Sequence, residues 1–193
     1  LLSADEELGY VYLPLGTPAN DYYGGHRPGD NLFGEALVCV EARTGRLVWH
    51  YQFVRHDVWD RDLPQAPVLV TVRHDGRAIP AVAQATKTGH VYVFDRETGA
   101  PLFPMEEQAV PPSDLEGEVT AATQPVPKAP PPFSRQLFSE DQITDLSPEA
   151  TASVRERWLA AKRGSTWAPP STQGTIIFPG FDGGAEWGGS AYD

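Results

Sequence analysis

Short apolar runs separated by polar turns dominate the first half of the chain. The runs are rich in Val, Tyr and Trp and last about five residues, which is typical of β-strands. Turn sequences with glycine lie between them, at Thr44-Gly45, Asp75-Gly76 and Thr98-Gly99. The pattern predicts an all-β protein rather than a helical one. The predicted strands cover residues 10–13, 36–41, 47–53, 68–73, 79–83, 91–95, 175–179 and 188–192.

One short pattern occurs twice, 54 residues apart. In each copy a strand passes into a Thr-Gly turn, and an aromatic residue stands four positions after the glycine: Trp49 after Gly45, and Phe103 after Gly99. Glycine supplies the positive φ that the turn requires, and the aromatic ring can pack between neighbouring sheets. The spacing is about that of one four-stranded propeller blade, although two ordinary β-hairpins would also produce it.

Residues 106–134 interrupt the strand pattern and are rich in Pro, Glu and Gln, which predicts a loop or extended segment. Two helix starts follow. Ser139 precedes a short acidic helix, and Ser147 is an N-cap followed by proline, which predicts a helix over 150–162. We interpret residues 106–170 as an excursion between two blades. Three apolar residues of the longer helix share one face, which is expected to dock on the sheet: Val154, Trp158 and Ala161.

Composition narrows the possible functions. The formal net charge is −11, with 15 Lys and Arg against 26 Asp and Glu and no basic cluster, which argues against nucleic-acid binding. The longest apolar run, 66–72, is far too short to cross a bilayer. The single Cys39 is expected in the core, since a free cysteine packs as a small hydrophobe. Because the chain begins without Met and ends just after a predicted strand, we expect it to be an internal piece of a longer protein.

The densest group of charges lies at 56–62, where seven residues read His-Asp-Val-Trp-Asp-Arg-Asp. Lys87 stands 27 positions after Asp60. Such a cluster is a poor way to build a core but a good way to build a site, because buried charges are costly unless they are paired. A carboxylate can take a proton from an alcohol, and a lysine can stabilise negative charge on the oxygen of an electron acceptor.

Six motifs follow one another along the chain, at residues 9–16, 23–27, 44–52, 56–60, 87–96 and 169–180. This ordered series resembles the quinoprotein dehydrogenases, which carry pyrroloquinoline quinone (PQQ), and in particular their glucose-dehydrogenase-like branch. The resemblance implies an eight-bladed β-propeller with the quinone on its central axis. The chain is then expected to form a partial propeller domain over residues 1–193, about three blades with the helical insertion at 106–170.

The resemblance assigns roles to individual residues. Asp60 matches the catalytic base, and Lys87 matches the basic residue that hydrogen-bonds the reactive quinone oxygens. Trp187, in the glycine-rich stretch 180–189, is expected to line the cofactor pocket; the glycines there would allow either close approach to the quinone or a tight interblade crossing. Neighbouring residues are expected to support the site rather than to react. His56 and Asp57 would brace the loop by hydrogen bonds, and Trp59 would pack beside the active site or in the core. Asp62 would be a turn residue or a charge outside the direct contacts of the cofactor.

The cation site is where the sequence departs from the family pattern. Family members hold Ca²⁺, or sometimes Mg²⁺, beside PQQ as a Lewis acid, and an Asn following a glycine is usually one ligand. Here Gly16 is followed by Thr17, and the nearest Asn is Asn20. Thr17, Asn20 or Asp21 are therefore the candidate metal ligands, and the sequence does not choose among them.

The leading hypothesis is a PQQ-dependent dehydrogenase, glucose-type by preference, that oxidises a sugar or other alcohol and passes electrons to a quinone or a cytochrome. By resemblance it works in the periplasm. An isolated three-blade piece is expected to be inactive, since it would expose unpaired strand edges and apolar faces. Two alternatives are a non-catalytic propeller that serves as an envelope assembly scaffold, and a sugar- or peptide-binding propeller without redox chemistry.

Overall fold

Three antiparallel sheets follow one another along the chain in the computed structural model, which describes all 193 residues. Within each sheet the strands pair in sequence order, so every connection is a hairpin or a local loop. The first sheet has four strands, β1 (Ser3–Asp5), β2 (Tyr10–Pro14), β3 (Ala36–Glu41) and β4 (Leu47–Gln52). The second has three, β5 (Val68–His74), β6 (Arg77–Ala85) and β7 (Val91–Asp95), and the third has β8 (Met105–Ala109) and β9 (Thr123–Pro127).

Six of the eight predicted strands are confirmed, and the two nearest the C-terminal end are wrong. Residues 175–179 make only one isolated bridge, between Thr175 and Lys162, and residues 188–192 make no ladder. Their composition suits a strand, but a strand also needs a neighbour that pairs its backbone groups, and no strand of this chain forms a ladder with them. The short β1 was not predicted, because Ser-Ala-Asp carries no alternating pattern.

The segment 106–134, predicted as a loop or extended segment, contains most of the β8–β9 hairpin, which was not among the predicted strands. The sequence did not predict β9 because it contains Pro125 and Pro127, and proline lacks the N–H that a central strand must donate. In a two-stranded sheet each strand has one unpaired edge, where proline is tolerated. The register pairs Met105 with Pro127 and Ala109 with Thr123.

A single α-helix, α1 (Pro148–Ala160), follows a 3₁₀ turn at Glu140–Gln142. The Ser147 hydroxyl accepts a hydrogen bond from the Ala150 amide, which confirms the predicted N-cap. The expected docking on the sheet is not found, because the helix has no buried residue. Its apolar face instead borders a groove shared with loop residues, lined by Val154, Trp158, Ala161, Phe138 and Ile176. No helix of the chain is both long and apolar enough to span a membrane.

One hydrophobic core runs through all three sheets and the loop that follows β4. Phe53 lies at its centre, with its ring 4.6 Å from Tyr92 and 5.8 Å from Phe94 in edge-to-face contact. Cys39 is fully buried in this core, as predicted. The fully buried Trp59 extends the core beneath the charged segment, where it packs on Trp167 and donates its indole N–H to the Ala168 carbonyl at 2.8 Å.

The repeated Thr-Gly turn joins the first two sheets through Trp49. The ring of Trp49, from β4, lies against the Gly99 turn that follows β7, and its indole N–H donates to the Arg96 carbonyl at 3.3 Å. Gly45 and Gly99 both have a φ of 73°. A Cβ at Gly99 would lie 2.6 Å from the Trp49 ring, whereas a Cβ at Gly45 would meet nothing within 4 Å. Trp49, the aromatic residue of the first copy, therefore packs between sheets, as the pattern predicted. Phe103, from the second copy, packs on the second sheet, with its ring 5.1 Å from that of His74.

These two glycines give a matched test of that packing. Gly45→Ala is expected to destabilise the protein by about 1 kcal/mol, the cost of a Cβ in left-handed backbone. Gly99→Ala is expected to cost about 1–3 kcal/mol more, because the new methyl group overlaps the Trp49 ring. Urea unfolding of both variants measures the difference, and equal losses would contradict the interblade role of Trp49.

Candidate active site

The loop between β4 and β5 carries the charged segment and folds around one buried carboxylate. Asp57 accepts the backbone N–H of Trp59 at 3.0 Å and that of Arg61 at 2.9 Å. His56 and Asp60 adopt positive φ values of 48° and 57°. Left-handed backbone is uncommon outside glycine and clusters at functional sites, where the surrounding structure stabilises it. This conformation turns the chain so that Asp60 and Asp62 face the next sheet.

Lys87 faces these carboxylates from the tight turn between β6 and β7. Its Nζ lies 3.3 Å from Asp60 Oδ2 and 3.2 Å from Asp62 Oδ2, with Glu186 Oε1 at 3.8 Å. The Lys87 side chain is only 7% exposed, whereas those of Asp60, Asp62 and Glu186 are 20%, 31% and 38% exposed. The Lys87 cation is therefore enclosed, whereas the carboxylates around it are partly open to solvent.

The glycine-rich segment closes over the Lys87 turn. A Cβ at Gly183 would lie 2.5 Å from Lys87 Cβ, and a Cβ at Gly184 would lie 2.6 Å from Gly89 Cα. The Gly184 amide donates to the Lys87 carbonyl at 2.9 Å. Close approach of two chain segments accounts for Gly183 and Gly184, because no larger residue fits there.

The two aspartates beside Lys87, both partly buried, differ in acidity. Burial, reinforced by a hydrogen bond with Asp62, raises the pKa of Asp60 to about 6, although Lys87 acts in the opposite direction. Burial would also raise the pKa of Asp62, but hydrogen bonds from the Thr17 amide and from Asp60, together with Lys87, lower it. Burial disfavours the Lys87 cation, yet Asp62 and Asp60 outweigh that effect and raise its pKa. Asp60 is thus the carboxylate that exchanges its proton near neutral pH.

A second, fully buried layer supports this face. The Thr17 hydroxyl contacts both Glu35 Oε1, at 2.5 Å, and Asp57 Oδ2, at 2.7 Å, although it has one proton to donate. One of the two carboxyl groups must therefore hold a proton. Burial, followed by the negative Asp57, raises the pKa of Glu35 well above its ordinary range, and its Oε2 has no hydrogen-bond partner. Burial also raises the pKa of Asp57, but hydrogen bonds from Thr17 and from the amides of Arg61 and Trp59 act against it. Glu35, which receives no backbone amide, is therefore assigned the proton.

Sequence reasoning assigned no role to Glu35 or Arg61. Arg61 is 1% exposed and donates to the carbonyls of Pro179 and Gly180, which ties the loop to the glycine-rich segment. Glu35 stands beside an apolar strand and looks like an ordinary surface residue in the sequence. Its role depends on contacts with residues far along the chain, and no local pattern reveals them.

The remaining predicted site residues lie around this centre. The Thr17 amide donates to Asp62 Oδ1 at 2.7 Å, and its hydroxyl is committed to Glu35 and Asp57. Asn20 is exposed, and its carbonyl accepts from Arg27. No group of three or more His, Cys, Asp or Glu residues is placed to hold a metal ion. Trp187 is 64% exposed and follows Glu186 at the open side of the Lys87 cluster.

Successive antiparallel sheets that share one core, with a lysine–carboxylate site on their connecting loops, define a partial β-propeller. The quinohemoprotein alcohol dehydrogenase ADHIIG of Pseudomonas putida has a similar structure, with a TM-score of 0.59 and 25% identity over 97% of this chain and 22% of its own. The quinoprotein glucose dehydrogenase of Gluconobacter oxydans is 38% identical over 99% of this chain and 24% of its own length. The quinate/shikimate dehydrogenase (quinone) of Acinetobacter baylyi is 34% identical over 100% of this chain and 24% of its own length.

The family described as PQQ glucose/ethanol/alcohol dehydrogenase, β-propeller domain, matches residues 1–193. The chain belongs to this family of PQQ-dependent quinoprotein dehydrogenases. It spans about a quarter of the length of the curated relatives it matches.

The position of Lys87 predicts how Asp60 titrates. In Lys87→Gln the cation that favours ionised Asp60 is gone, so the pKa of Asp60 should rise above about 6. Carboxyl ¹³C NMR titration measures this value, with Arg43→Gln, an exposed surface position, as the matched control. An unchanged or lower pKa of Asp60 in Lys87→Gln would contradict the ion pairing described above.

Proposed function

We propose that the protein containing this chain is a PQQ-dependent dehydrogenase that oxidises a sugar or other alcohol, with Asp60 as the base. The observation that carries the proposal is the pairing of an enclosed cation, Lys87, with a neighbouring carboxylate whose pKa burial raises to about 6. A base titrating in that range is mostly ionised at neutral pH and still accepts a proton readily. Glucose is the favoured substrate, because the quinoprotein glucose dehydrogenase of Gluconobacter oxydans is 38% identical to the chain, whereas the quinate/shikimate and glycerol dehydrogenases are 34% identical.

The residues around Lys87 fit a quinone oxygen. A lysine ammonium has three N–H donors, and here two of them are directed to Asp60 and Asp62. Glu186, at 3.8 Å, lies beyond hydrogen-bonding distance, so the third donor is available to a carbonyl oxygen of the cofactor. Trp187 offers an exposed indole surface beside it.

The residues present do not fit a complete Ca²⁺ site. Such an ion takes six to eight oxygen ligands, whereas the Thr17 hydroxyl already serves Glu35 and Asp57, and Asn20 is exposed. Thr17 and Asn20 remain predicted ligands from the sequence, and the mechanism proposed here uses no metal.

In the proposed mechanism Asp60 accepts the hydroxyl proton of the substrate, and the adjacent carbon gives up its hydride. PQQ, when bound, supplies the carbonyl carbon that accepts this hydride. Lys87 donates a hydrogen bond to the oxygen on which negative charge develops, and it does so from an enclosed position where water screens it little. Asp62, with its lowered pKa, stays ionised and holds the ammonium in place.

The electrons are then proposed to pass to a quinone or a cytochrome, with the enzyme acting in the periplasm, as the family resemblance suggests. A non-catalytic scaffold is the second candidate, but it gives no reason to surround a buried lysine with three carboxylates. A buried ion pair adds little to stability, because the cost of desolvation can exceed the Coulombic gain. A catalytic role therefore accounts for this arrangement better than a structural one.

Asp60→Asn tests the proposed base in the full-length enzyme. The amide preserves shape but accepts no proton, so turnover should fall by about 100-fold or more while PQQ still binds. Dye reduction with glucose, glycerol and quinate measures turnover, and an absorbance titration with PQQ measures cofactor uptake. Asp145→Asn, at an exposed position outside the site, is the control. Retained turnover in Asp60→Asn would refute the assignment of the base.

The acidity of Asp60 also predicts a pH dependence. The base acts only when ionised, so kcat/KM should fall as the pH drops through about 6, the pKa to which burial raises Asp60. In Lys87→Gln the same acidic limb should move to higher pH, provided that enough activity remains to follow it. A wild-type profile that is flat from pH 5 to 8 would show that Asp60 does not act as the base.

A further inference from the structure

A histidine and a glutamate form a buried pair at the start of the loop that carries Asp60. His56 Nε2 lies 2.6 Å from Glu118 Oε1, and the two side chains are 2% and 1% exposed. The other ring nitrogen, His56 Nδ1, lies 2.7 Å from the Gly29 carbonyl oxygen. Both ring nitrogens of His56 are therefore committed, and the ring cannot rotate without losing two hydrogen bonds in the interior.

Every polar atom of this pair has a partner. A carbonyl oxygen only accepts, so His56 Nδ1 donates to Gly29. Glu118 uses both carboxyl oxygens: Oε1 shares a hydrogen bond with His56 Nε2, and Oε2 accepts the Gly24 amide N–H at 2.5 Å. The pair is shielded from water, so breaking it would leave polar groups unpaired in the interior.

Glu118 comes from the predicted excursion, 62 residues after His56. The excursion is fixed against the loop between β2 and β3, where the Tyr23 hydroxyl donates to the Glu116 carbonyl at 2.9 Å. Gly24 must lack a side chain there, because a Cβ would lie 2.5 Å from His56 Nε2. Three segments distant in sequence thus converge on one imidazole ring.

Contacts lead from this ring to the base. His56 adjoins Asp57, whose carboxylate holds the amides of Trp59 and Arg61 on either side of Asp60. Arg27 donates to the Asp57 carbonyl at 2.5 Å and fixes the same turn from the other side. The left-handed backbone of His56, at φ 48°, costs energy that its side-chain contacts must offset.

We propose that Glu118 is a positioning residue for the catalytic base, holding His56 so that the 56–60 loop presents Asp60 to Lys87. This role rests on the proposed function of Asp60. Loss of the pair would let the loop relax and would separate Asp60 from Lys87. The inserted excursion, which carries no catalytic group, would then be required for the geometry of the reaction.

The first test measures the loop itself and does not depend on activity. Amide hydrogen exchange of the full-length protein is followed by mass spectrometry in peptides that cover residues 57–62. Glu118→Ala should accelerate exchange at Trp59 and Arg61 by about tenfold or more, since their hydrogen bonds to Asp57 open more often. Glu116→Ala, an exposed neighbour, is the control and should match the wild type. Unchanged exchange in Glu118→Ala would overturn the proposal.

Two further variants guard against a general loss of folding. Glu118→Gln can still accept from Gly24 and donate to His56 Nε2, so it should restore most of the protection. Glu118→Asp is one methylene shorter and cannot reach both partners, so exchange should accelerate in the 57–62 peptides and not in those of β6 and β7. If Glu118→Ala does not fold, Glu118→Gln and Glu118→Asp test the proposal in its place. Amide exchange in the 57–62 peptides that matches the wild type in both variants would overturn it.

The second test asks whether the loop matters for catalysis, using the PQQ-loaded enzyme and whichever of glucose, glycerol or quinate is oxidised fastest. Glu118→Asp should lower kcat by about 10- to 100-fold with PQQ uptake unchanged, since a small misplacement of a reacting group has an effect of this size. Its acidic limb should move to higher pH, because Asp60 loses the favourable Lys87 and keeps the unfavourable Asp62. The other ionisable groups near this cluster are Glu186 and Tyr22 at its open side and Arg61, Asp57 and Glu35 behind it, and the variant leaves all of them in place. A lower kcat with an unmoved limb would show a merely structural role and overturn the proposal.

Failure of the two proposals is distinguishable. If the wild-type protein takes up no PQQ and reduces no dye, the proposed function fails. The exchange measurement then still reports whether Glu118 orders the loop. If the wild type is active and Glu118→Asp is wild-type-like in kcat, pH limb and exchange, only the positioning role fails.

Discussion

The site depends on the enclosure of one ammonium group. Lys87 is 7% exposed, and a buried charge is tolerated only where opposite charges and hydrogen bonds replace the lost water. Asp60 and Asp62 provide them from the loop after β4, and Gly183 closes over the lysine from a segment almost a hundred residues further on. The first two sheets and the glycine-rich segment must therefore be assembled together before this cation becomes stable.

The layer behind the lysine divides protons among carboxyl groups by environment. Burial raises the pKa of Glu35 well above its ordinary range, whereas at Asp57 hydrogen bonds from Thr17 and two backbone amides act against the same effect of burial. At Asp60 burial and Asp62 act against Lys87. Carboxyl groups of similar intrinsic acidity thus take different roles, which is the usual way in which one site provides both a base and a fixed charge.

The packing that supports this chemistry is shared between the sheets. Trp49 fills the gap against Gly99, and Trp59 anchors the charged loop on Trp167. Neither sheet buries these rings alone, so each blade depends on its neighbour. The excursion is part of the same arrangement, because Glu118 reaches the interior beside His56 while α1 remains at the surface.

The sequence by itself determined most of the strands, the repeated turn, the buried Cys39, and Asp60 and Lys87 as candidate residues. Alternating apolar positions and glycine turns are local signals, and the charged segment stands out wherever it falls in the fold. Only the tertiary structure decided that 175–179 and 188–192 form no strand, that β9 forms despite its prolines, and that Glu35 and Glu118 are buried beside the site. A strand forms a ladder only where a partner strand lies beside it, and the acidity of a carboxyl group depends on neighbours that are distant in sequence. Neither property can be predicted from a local stretch of residues.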